Sequence, residues 1–288
     1  MSVFSIVSLT FITLVAFAAN SVFCRLALDV QNMDPMSFTG IRLASAALVL
    51  GLIMLVKSPA SVTSIKTLNS YGSWRQAGYL FAYAAGFSYA YVTLPTATGA
   101  LILFAAVQFT MLLVARLSGH RMNAVARAGV VISLFGFGYF VLPELSSPSV
   151  IGLLVMALAG VAWGMYSLAG AKSSNALETT GANFIRCLPF GLLLMLAFVP
   201  SANLTFEGVA YALASGVLAS GVGYAIWYQV LPKLDSSVAA VCQLSVPIIA
   251  AFGGVIIVAE PITSHLMFSS FAILGGMLLV IVGKKRKI

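Results

Sequence analysis

Charged side chains are scarce in this sequence of 288 residues, where Asp, Glu, Lys and Arg make up 8% of the positions and hydrophobic residues 61%. Soluble domains usually contain about 25% charged residues. A water-soluble core of this size cannot bury so many apolar side chains, so the composition excludes a soluble globular protein. It predicts instead an integral membrane protein whose solvent is lipid.

Residues that perform chemistry are also rare. There are two histidines, His120 and His265, and both lie near predicted loops. The sequence contains no H-E-x-x-H, G-x-S-x-G or P-loop motif and no paired aspartates for a diphosphate site. The three cysteines, Cys24, Cys187 and Cys242, fall in apolar runs and lack the spacing of a disulfide framework or a metal site. We therefore expect a protein that is not an enzyme or an ATP-driven pump and that needs no metal or cofactor.

The few charges lie almost entirely outside the apolar runs. The net charge of +8 does not indicate a nucleic-acid partner, because the basic residues occupy short loops and the tail from Lys284 to Lys287. No carboxylate lies deep within a predicted span, and Glu260 lies near a boundary. A buried acid acting as a proton relay is therefore not expected, whereas coupling through substrate exchange stays open.

Ten apolar runs are long enough to cross a bilayer, which takes about 20 helical residues. The first contains Ala16-Phe17-Ala18, which is similar to a signal-peptide cleavage site, but no Lys or Arg precedes it and the run continues to Leu28, so we expect a retained helix. The prediction is an all-α membrane protein with ten transmembrane helices. They cover approximately 3–28, 36–56, 75–94, 97–117, 124–142, 149–171, 178–199, 206–230, 235–258 and 262–283.

Basic residues are distributed asymmetrically about these spans. If the N-terminus is cytoplasmic, twelve of the fifteen Lys and Arg residues face the cytoplasm, Arg25 faces outward, and Arg42 and Arg186 lie within spans. Five of the seven acids then face outward, namely Asp29, Asp34, Glu144, Glu207 and Glu260. The positive-inside rule therefore predicts that both termini are cytoplasmic.

The two halves of the chain show the same order of features. FTGIRLAS and ANFIRCLP place Arg42 and Arg186 144 residues apart, and two Leu-Pro pairs at Leu94 and Leu231 each follow a helix end rich in Gly and aromatic residues. Each half, 1–145 and 146–288, would contain five spans. Because five is odd, the second half begins on the opposite side of the membrane, which predicts two inverted five-helix repeats. Inverted repeats are typical of carriers that open a central site to each side in turn.

Three stretches resemble those of one transporter family. DPMSFTGIRLASAALVL in the second span, LPTATGALILFAAVQFTMLL in the fourth and LDSSVAAVCQLSVPIIAAFGGVIIVAEPIT in the ninth and its exit are similar to the EamA-type drug/metabolite transporter superfamily. The resemblance covers nearly the whole chain and implies a metabolite carrier of the cell inner membrane, often an exporter, with a cavity between the halves. At Gly119-His120-Arg121 the sequence departs from the usual Gly-Glu-Arg-like exit, so we assign that exit no role.

Two arginines within apolar runs need a reason. Arg42 and Arg186 lie about six and eight residues inside their spans, shallow enough for a long side chain to reach the headgroups. One interpretation is a structural anchor. The other is a gating or anion contact at the two mouths of a cavity.

Deep amides and aromatic side chains are the candidates for recognition. An amide in lipid needs hydrogen-bond partners and should face the protein interior. An aromatic ring in mid-span lies too deep for the interfacial belt. The predicted substrate-binding residues are Asn20, Tyr83, Gln108, Trp163, Tyr166, Trp227 and Gln243. Ordinary helix packing is the alternative role for each of them.

These features together predict a secondary transporter of small organic metabolites that works by alternating access. By resemblance, export of amino acids or related compounds is favoured. A non-transporting scaffold or lipid-handling subunit is the alternative, and it would have a collapsed centre. A sugar-phosphate exchanger is less favoured, because it would need Lys or Arg at mid-depth. Membrane lipids are the other expected partner, and the oligomeric state stays open.

Overall fold

Apolar runs fold as helices in lipid because each backbone N–H must find its partner within its own segment. The computed structural model describes residues 1–57, 59, 65–119, 122–141, 150–170, 173, 175–234, 239 and 242–283. Over these residues the chain is helical and contains no strand. The helices are α1 (Val3–Arg25), α2 (Pro35–Lys57), α3 (Trp74–Ala90), α4 (Thr96–Leu117), α5 (Ala124–Val141), α6 (Val150–Gly170), α7 (Ala176–Ala197), α8 (Phe206–Ala214, Ser215–Val222 and Gly223–Val230), α9 (Val246–Ile257) and α10 (Ser264–Val282).

Two helices contain wider π-helical turns, and one short helix is not numbered among α1 to α10. Leu26–Val30 continues α1 as a π-helical turn, and Ser215–Val222 forms the middle of α8 in the same way. The six-residue helix Ile65–Ser70 lies between α2 and α3. A π-helical segment has an extra residue in its turn, which shifts the side chains that follow it around the helix axis.

Short polar side chains fix where several helices begin. The hydroxyls of Ser73, Thr205 and Thr263 each accept a hydrogen bond from a backbone N–H of the first helical turn that follows. Asp34 accepts one from the Ser37 N–H at 2.8 Å, just before Pro35 opens α2. These are the usual N-capping residues, and they satisfy donors that have no partner inside a helix.

The ten predicted spans differ in how well their helices suit a membrane crossing. Seven helical regions of the described chain are long and apolar enough to cross, namely Val3–Val30, Pro35–Lys57, Thr96–Leu117, Val150–Gly170, Ala176–Ala197, Phe206–Lys233 and Ser264–Val282. Two further apolar helices, Ala124–Phe140 and Val246–Ile257, are shorter, and α3 has 17 residues. The all-helical membrane fold is therefore present, whereas the count of ten spans and their inversion stay predictions.

The predicted third span is longer than the helix found there, and a turn interrupts the predicted ninth span. The third was predicted to reach residue 94, but α3 ends at Ala90 and a turn leads to Pro95. The ninth was predicted over 235–258, and part of that range lies outside the described residues. Of the described ones, 239, 242 and 243 are helical, a turn lies at 244–245, and α9 follows from Val246 with Pro247 in its first turn. Both differences have one cause. Hydropathy alone does not reveal where a proline-containing turn interrupts an apolar run.

The helices pack in pairs that connect the two halves of the chain. α2 packs on α7, α4 on α9 and α5 on α10. α1 packs on α8 and α9, as α6 packs on α3 and α4, and α2 contacts α8 as α7 contacts α3. Every one of these contacts has a counterpart when the first five helices are exchanged with the last five.

Candidate functional site

A cavity of about 540 Å³ lies between helices of both halves. Its walls come from α1, α3 and α4 of the first half and from α6 and α8 of the second. The volume falls within the range of about 300–1,000 Å³ that small-molecule sites occupy. The cavity therefore has the size of a site for a small organic solute.

Four stacked and tilted rings form one wall of the cavity, and we call Tyr83, Trp163, Tyr166 and Tyr224 the aromatic wall. Trp163 is central, because its ring centroid lies 4.7 Å from that of Tyr83, 5.4 Å from that of Tyr166 and 5.6 Å from that of Tyr224. Phe17 of α1 extends the wall at 5.3 Å from Tyr224. Such surfaces bind apolar groups by contact and cations through their π faces.

A polar edge borders this wall where α1 meets the π-helical segment of α8. The Ser215 hydroxyl donates to Asn20 Oδ1 at 2.7 Å, and the Ser220 hydroxyl approaches the same oxygen at 3.5 Å. The wide turn of Ser215–Val222 is what brings two serines five positions apart to one amide. Asn20 lines the cavity and thus supplies a fixed amide to its wall.

Arg42 lies behind the aromatic wall rather than at the membrane surface. Its side chain is 2% exposed, and its Nη2 donates to the Tyr83 hydroxyl at 3.1 Å. Its Nε donates to the Ser220 hydroxyl at 3.4 Å, and the guanidinium carbon lies 4.9 Å from the Phe87 ring centroid. The guanidinium therefore does not reach toward the headgroups, as its predicted shallow depth would have allowed, but lies inside the protein.

The cavity reaches the surface at one end of the bundle. Lys57, Asn175 and Pro232 line that end, and all three side chains are exposed. These residues lie at or beyond the ends of α2 and α8 and before the start of α7. The opposite end is lined by buried Ser21 and Phe87. Within the described part of the chain, the cavity is therefore open at this end and lined by buried side chains at the other.

An ion-pair network lies one helical turn beyond Ser21 and Phe87. Arg25 Nε lies 3.1 Å from Glu260 Oε1, Arg25 Nη1 donates to the Tyr91 carbonyl at 2.9 Å, and Arg25 Nη2 pairs with Asp29 at 2.7 Å. The Glu260 carboxylate also accepts from the Thr96 N–H at 2.8 and 3.0 Å, which caps α4. We call Arg25, Asp29, Tyr91, Thr96 and Glu260 the closed-end network. It joins α1, the turn before α4 and the chain after α9.

Six of the seven predicted substrate-binding residues line the cavity, namely Asn20, Tyr83, Trp163, Tyr166, Trp227 and Gln243. Gln108 of α4 is half-buried and is not among the described lining residues. The helix period does not account for this, because Gln108 lies four residues after Phe104 and three before Met111, and both of these line the cavity. No residue in this set has yet been shown to bind a solute, so their role stays a prediction.

Arg186 lies apart from the cavity lining. Its Nη1 donates to the Tyr71 carbonyl at 2.7 Å, and its Nη2 approaches the Leu68 carbonyl and Asn69 Oδ1 at 3.4 Å. Nearby, Asn183 Oδ1 accepts from the Ser73 N–H at 3.0 Å. α7 thus holds the chain that leads into α3, an arrangement that fits the structural interpretation of Arg186.

Several residues of the site carried no signal in the sequence. Phe17 and Phe87 look like ordinary apolar positions, and Ser215 and Ser220 look like small residues for helix packing. For Arg25, inside the predicted span 3–28, and for Glu260, near a span boundary, the sequence predicts only that both face outward. Arg25 did stand out in one respect, as the single basic residue predicted on the outer side.

No group of His, Cys, Asp and Glu that could hold a metal ion occurs in the described part of the chain. A cavity that lies between the two halves of a helical membrane protein and reaches one surface is typical of a membrane transporter of small molecules. Similarity to known proteins shows the family to which this transporter belongs. The EamA-like transporter family model matches residues 150–282.

Relatives extend the similarity over the whole chain. An uncharacterized protein of Pseudomonas aeruginosa is 44% identical over 95% of this chain and 93% of its own length. The uncharacterized transporter YoaV of Bacillus subtilis is 23% identical over 86% and 87%. A probable amino-acid metabolite efflux pump of Escherichia coli is 23% identical over 96% and 94%. The chain belongs to the EamA-type family of the drug/metabolite transporter superfamily, as its sequence predicted, and is a transporter rather than an enzyme.

A crystal structure has a similar fold. Its chain superposes with a TM-score of 0.65 at 20% sequence identity, over 96% of this chain and 99% of that one. At this identity the similarity concerns the fold alone.

Proposed function

We propose that this transporter moves a small organic metabolite across the cell inner membrane by alternating access, with export of amino acids or related compounds as its role. The observation that carries the proposal is the cavity itself. It lies between the halves, reaches the surface at one end and is closed at the other by the closed-end network. A carrier caught open to one side has this arrangement.

The exchange of contacts between the halves supports the mechanism. If residues 1–145 and 146–288 are two inverted five-helix repeats, then each repeat can adopt the contacts that the other now makes. The paired packing of α1 on α8 and of α6 on α3 is what such an exchange requires. The boundary between the proposed halves lies outside the described residues.

The charge distribution assigns a direction to the open end. The cavity opens where Lys57 lies, on the side that the positive-inside rule makes cytoplasmic, and Arg25 and Glu260 lie on the outer side. With both termini cytoplasmic, the conformation described here faces the cytoplasm. Several basic residues behind this topology, including Arg121, Lys172 and the tail Lys284 to Lys287, lie outside the described residues.

The choice of solute rests on the cavity walls and on one relative. The aromatic wall and the amide of Asn20 suit a small solute with one apolar and one polar part. The relative from Escherichia coli carries the name of an amino-acid metabolite efflux pump. An open centre also fits a solute carrier better than the non-transporting scaffold or lipid-handling subunit, which would be collapsed.

Counterflow in proteoliposomes tests the proposal. Vesicles with the purified protein are preloaded with an unlabelled metabolite mixture that includes all common amino acids, and uptake of trace labelled solutes is followed. We expect labelled amino acids to accumulate only in preloaded vesicles that contain protein. An absence of counterflow for every amino acid and every other metabolite tested would refute transport by this mechanism.

A further inference from the structure

The two repeat-related arginines have very different surroundings. Arg42 and Arg186 both follow an isoleucine at corresponding places of the second helix of each half. Arg186 donates to the backbone carbonyls of Tyr71 and Leu68, which is how a structural arginine is satisfied. Arg42 donates to two side-chain hydroxyls and to no backbone carbonyl of a described residue. Arg186 therefore shows what a structural arginine contacts at this position, and Arg42 differs from it.

Arg42 is a buried cation without a counter-charge in the described part of the chain. Its two hydrogen bonds go to the hydroxyls of Tyr83 and Ser220, and no carboxylate oxygen of a described residue lies within 4 Å. Its Nη1 is buried and has no hydrogen-bond partner among the described residues. A guanidinium stays charged at every physiological pH, so neutralisation by proton loss is not available to it. An unbalanced charge at this depth is strongly unfavourable unless an anion compensates it.

The cavity wall connects directly to this cation. Tyr83, whose hydroxyl binds Arg42, is a member of the aromatic wall, and Phe87 beside it also lines the cavity. Ser220 contacts both Arg42 and Asn20, and Asn20 lines the cavity. An anion placed beside Asn20 and Tyr83 would thus be separated from the guanidinium by the width of one side chain, where low dielectric makes their attraction strong.

We infer that the transported solute carries a carboxylate, and that this group binds beside Asn20 and Tyr83 with Arg42 as its counter-charge. The inference rests on the proposed function and names the solute class for it. The remainder of the solute lies against Trp163, Tyr166 and Tyr224, so it is apolar or aromatic. Amino acids and simple monocarboxylates with such side chains belong to this class.

The charge count favours a carboxylate over a phosphate ester. A phosphate at neutral pH carries up to two negative charges and is usually held by several basic groups or by a run of backbone N–H groups. At the deep end of the cavity Arg42 is the described cation that lacks a carboxylate partner, because Arg25 pairs with Asp29 and Glu260, whereas Lys57 lies at the mouth. One guanidinium charge balances one singly charged carboxylate.

Matched solutes provide the test. The full-length protein in nanodiscs is titrated with phenylalanine, leucine and phenylpropionate, with the carboxamide of each of these three acids, and with the decarboxylated amines of the two amino acids. Dissociation constants are measured by radioligand binding or by thermal shift. We expect at least one of the three acids to bind, and its matched neutral or cationic analogues to bind about 10- to 100-fold more weakly, since the attraction to the Arg42 charge is lost.

Three variants assign the effect to Arg42. In Arg42→Gln we expect acid and carboxamide to bind equally weakly, and in Arg42→Lys we expect part of the preference to return, because the charge remains. Arg127→Gln is the matched loss of charge at an exposed position of α5 and should keep the full preference. The melting temperature without ligand and the elution profile show whether each variant is folded.

Three results would contradict the assignment of a carboxylate to the site beside Arg42. Equal affinity of the wild type for acid and carboxamide, an unchanged acid affinity in folded Arg42→Gln, or no binding by any acid would overturn the inference. If no solute binds and counterflow is also absent, the proposed function fails with it. Counterflow of a neutral or cationic solute, together with any of these results, would overturn the carboxylate alone and leave transport standing.

Discussion

Arg25 Nε contacts Glu260 Oε1 at 3.1 Å although 235 residues separate the two side chains. Both side chains are mostly buried, and the carboxylate at the same time caps α4 through the Thr96 N–H. The pair joins the end of α1 in the first half to the chain that follows α9 in the second. For a carrier that alternates, this contact has to break each time the closed end opens.

Glu260→Gln should therefore loosen the closed end. The amide can still accept from the Thr96 N–H but no longer pairs with the Arg25 charge, and breaking a mostly buried pair shifts the opening equilibrium by roughly 1.4 kcal/mol or more. Cys24, next to Arg25 and 0% exposed, is the reporter. In a protein with Cys187→Ala and Cys242→Ala, we expect maleimide to label Cys24 about tenfold faster when Gln replaces Glu260.

Asp29→Asn is the matched control for this experiment. Asp29 also pairs with Arg25, but its side chain is 47% exposed and lies on the same stretch of chain, four residues on. An exposed pair of this kind contributes little and does not link the halves. Cys24 labelling should stay within about twofold of the parent protein. Equal acceleration by both substitutions, or by neither, would show that the Arg25–Glu260 pair does not hold this end closed.

Trp163→Ala should impair transport more than any other single change in the aromatic wall. The indole contacts three other members of the wall, so its removal takes apolar area away from the surface against which the solute lies and loosens the remaining rings. We expect the KM for counterflow to rise by about tenfold or more. Trp163→Phe should recover part of the affinity.

Trp74→Ala supplies the comparison for Trp163. Trp74 is 60% exposed at the start of α3, where it packs edge-to-face on Phe190, and it is not among the residues that line the cavity. Its loss should leave the KM within about twofold of the wild type. If the two alanine variants transport equally well, the cavity described here is not where the solute binds.

The helices, the family and much of the cavity wall were predictable from the sequence, because each depends on a local pattern. Apolar runs give helices, and a tryptophan in mid-span such as Trp163 has to face other protein. The closed-end network was not predictable, because nothing local pairs Arg25 with Glu260. The burial of Arg42 depends likewise on the π-helical turn in α8, whose small residues read as ordinary helix. Gln108 shows the opposite error, since it shares a helix face with Phe104 and Met111 and is still not among the described residues that line the cavity.

Arg186→Ala should destabilise the protein through the chain before α3. It removes the charged donor that the carbonyls of Tyr71 and Leu68 share, and such hydrogen bonds contribute about 1.5–3 kcal/mol. We expect the melting temperature in detergent to fall by about 5 °C. Arg186→Lys should recover less than half of this loss, since an ammonium lacks the fork that spans two acceptors.

Arg75→Ala, an equal loss of charge at an exposed position of α3, should leave the melting temperature unchanged. Counterflow kinetics separate the two interpretations of Arg186. An anchor alters the melting temperature while the KM of the folded variant stays the same, whereas a contact with the solute raises the KM. An unchanged melting temperature with a raised KM would contradict the anchoring role.

Gly129→Ala tests the packing of α5 on α10, a pair far from the cavity. A Cβ at Gly129 would meet the Gly276 carbonyl and lie 2.8 Å from the Val280 backbone nitrogen, so the two helices would have to separate. Glycine permits close approach of helices in lipid, where apolar surface alone does not drive them together. Overpacking of this kind costs about 1–3 kcal/mol, and we expect the melting temperature to fall by about 5 °C.

Gly138→Ala in the same helix is the control. A Cβ at Gly138 meets nothing within 4 Å, so the higher helix propensity of alanine should keep that variant as stable as the wild type or make it slightly more stable. Equal stability of the two variants would mean that α5 and α10 do not pack this closely in the membrane.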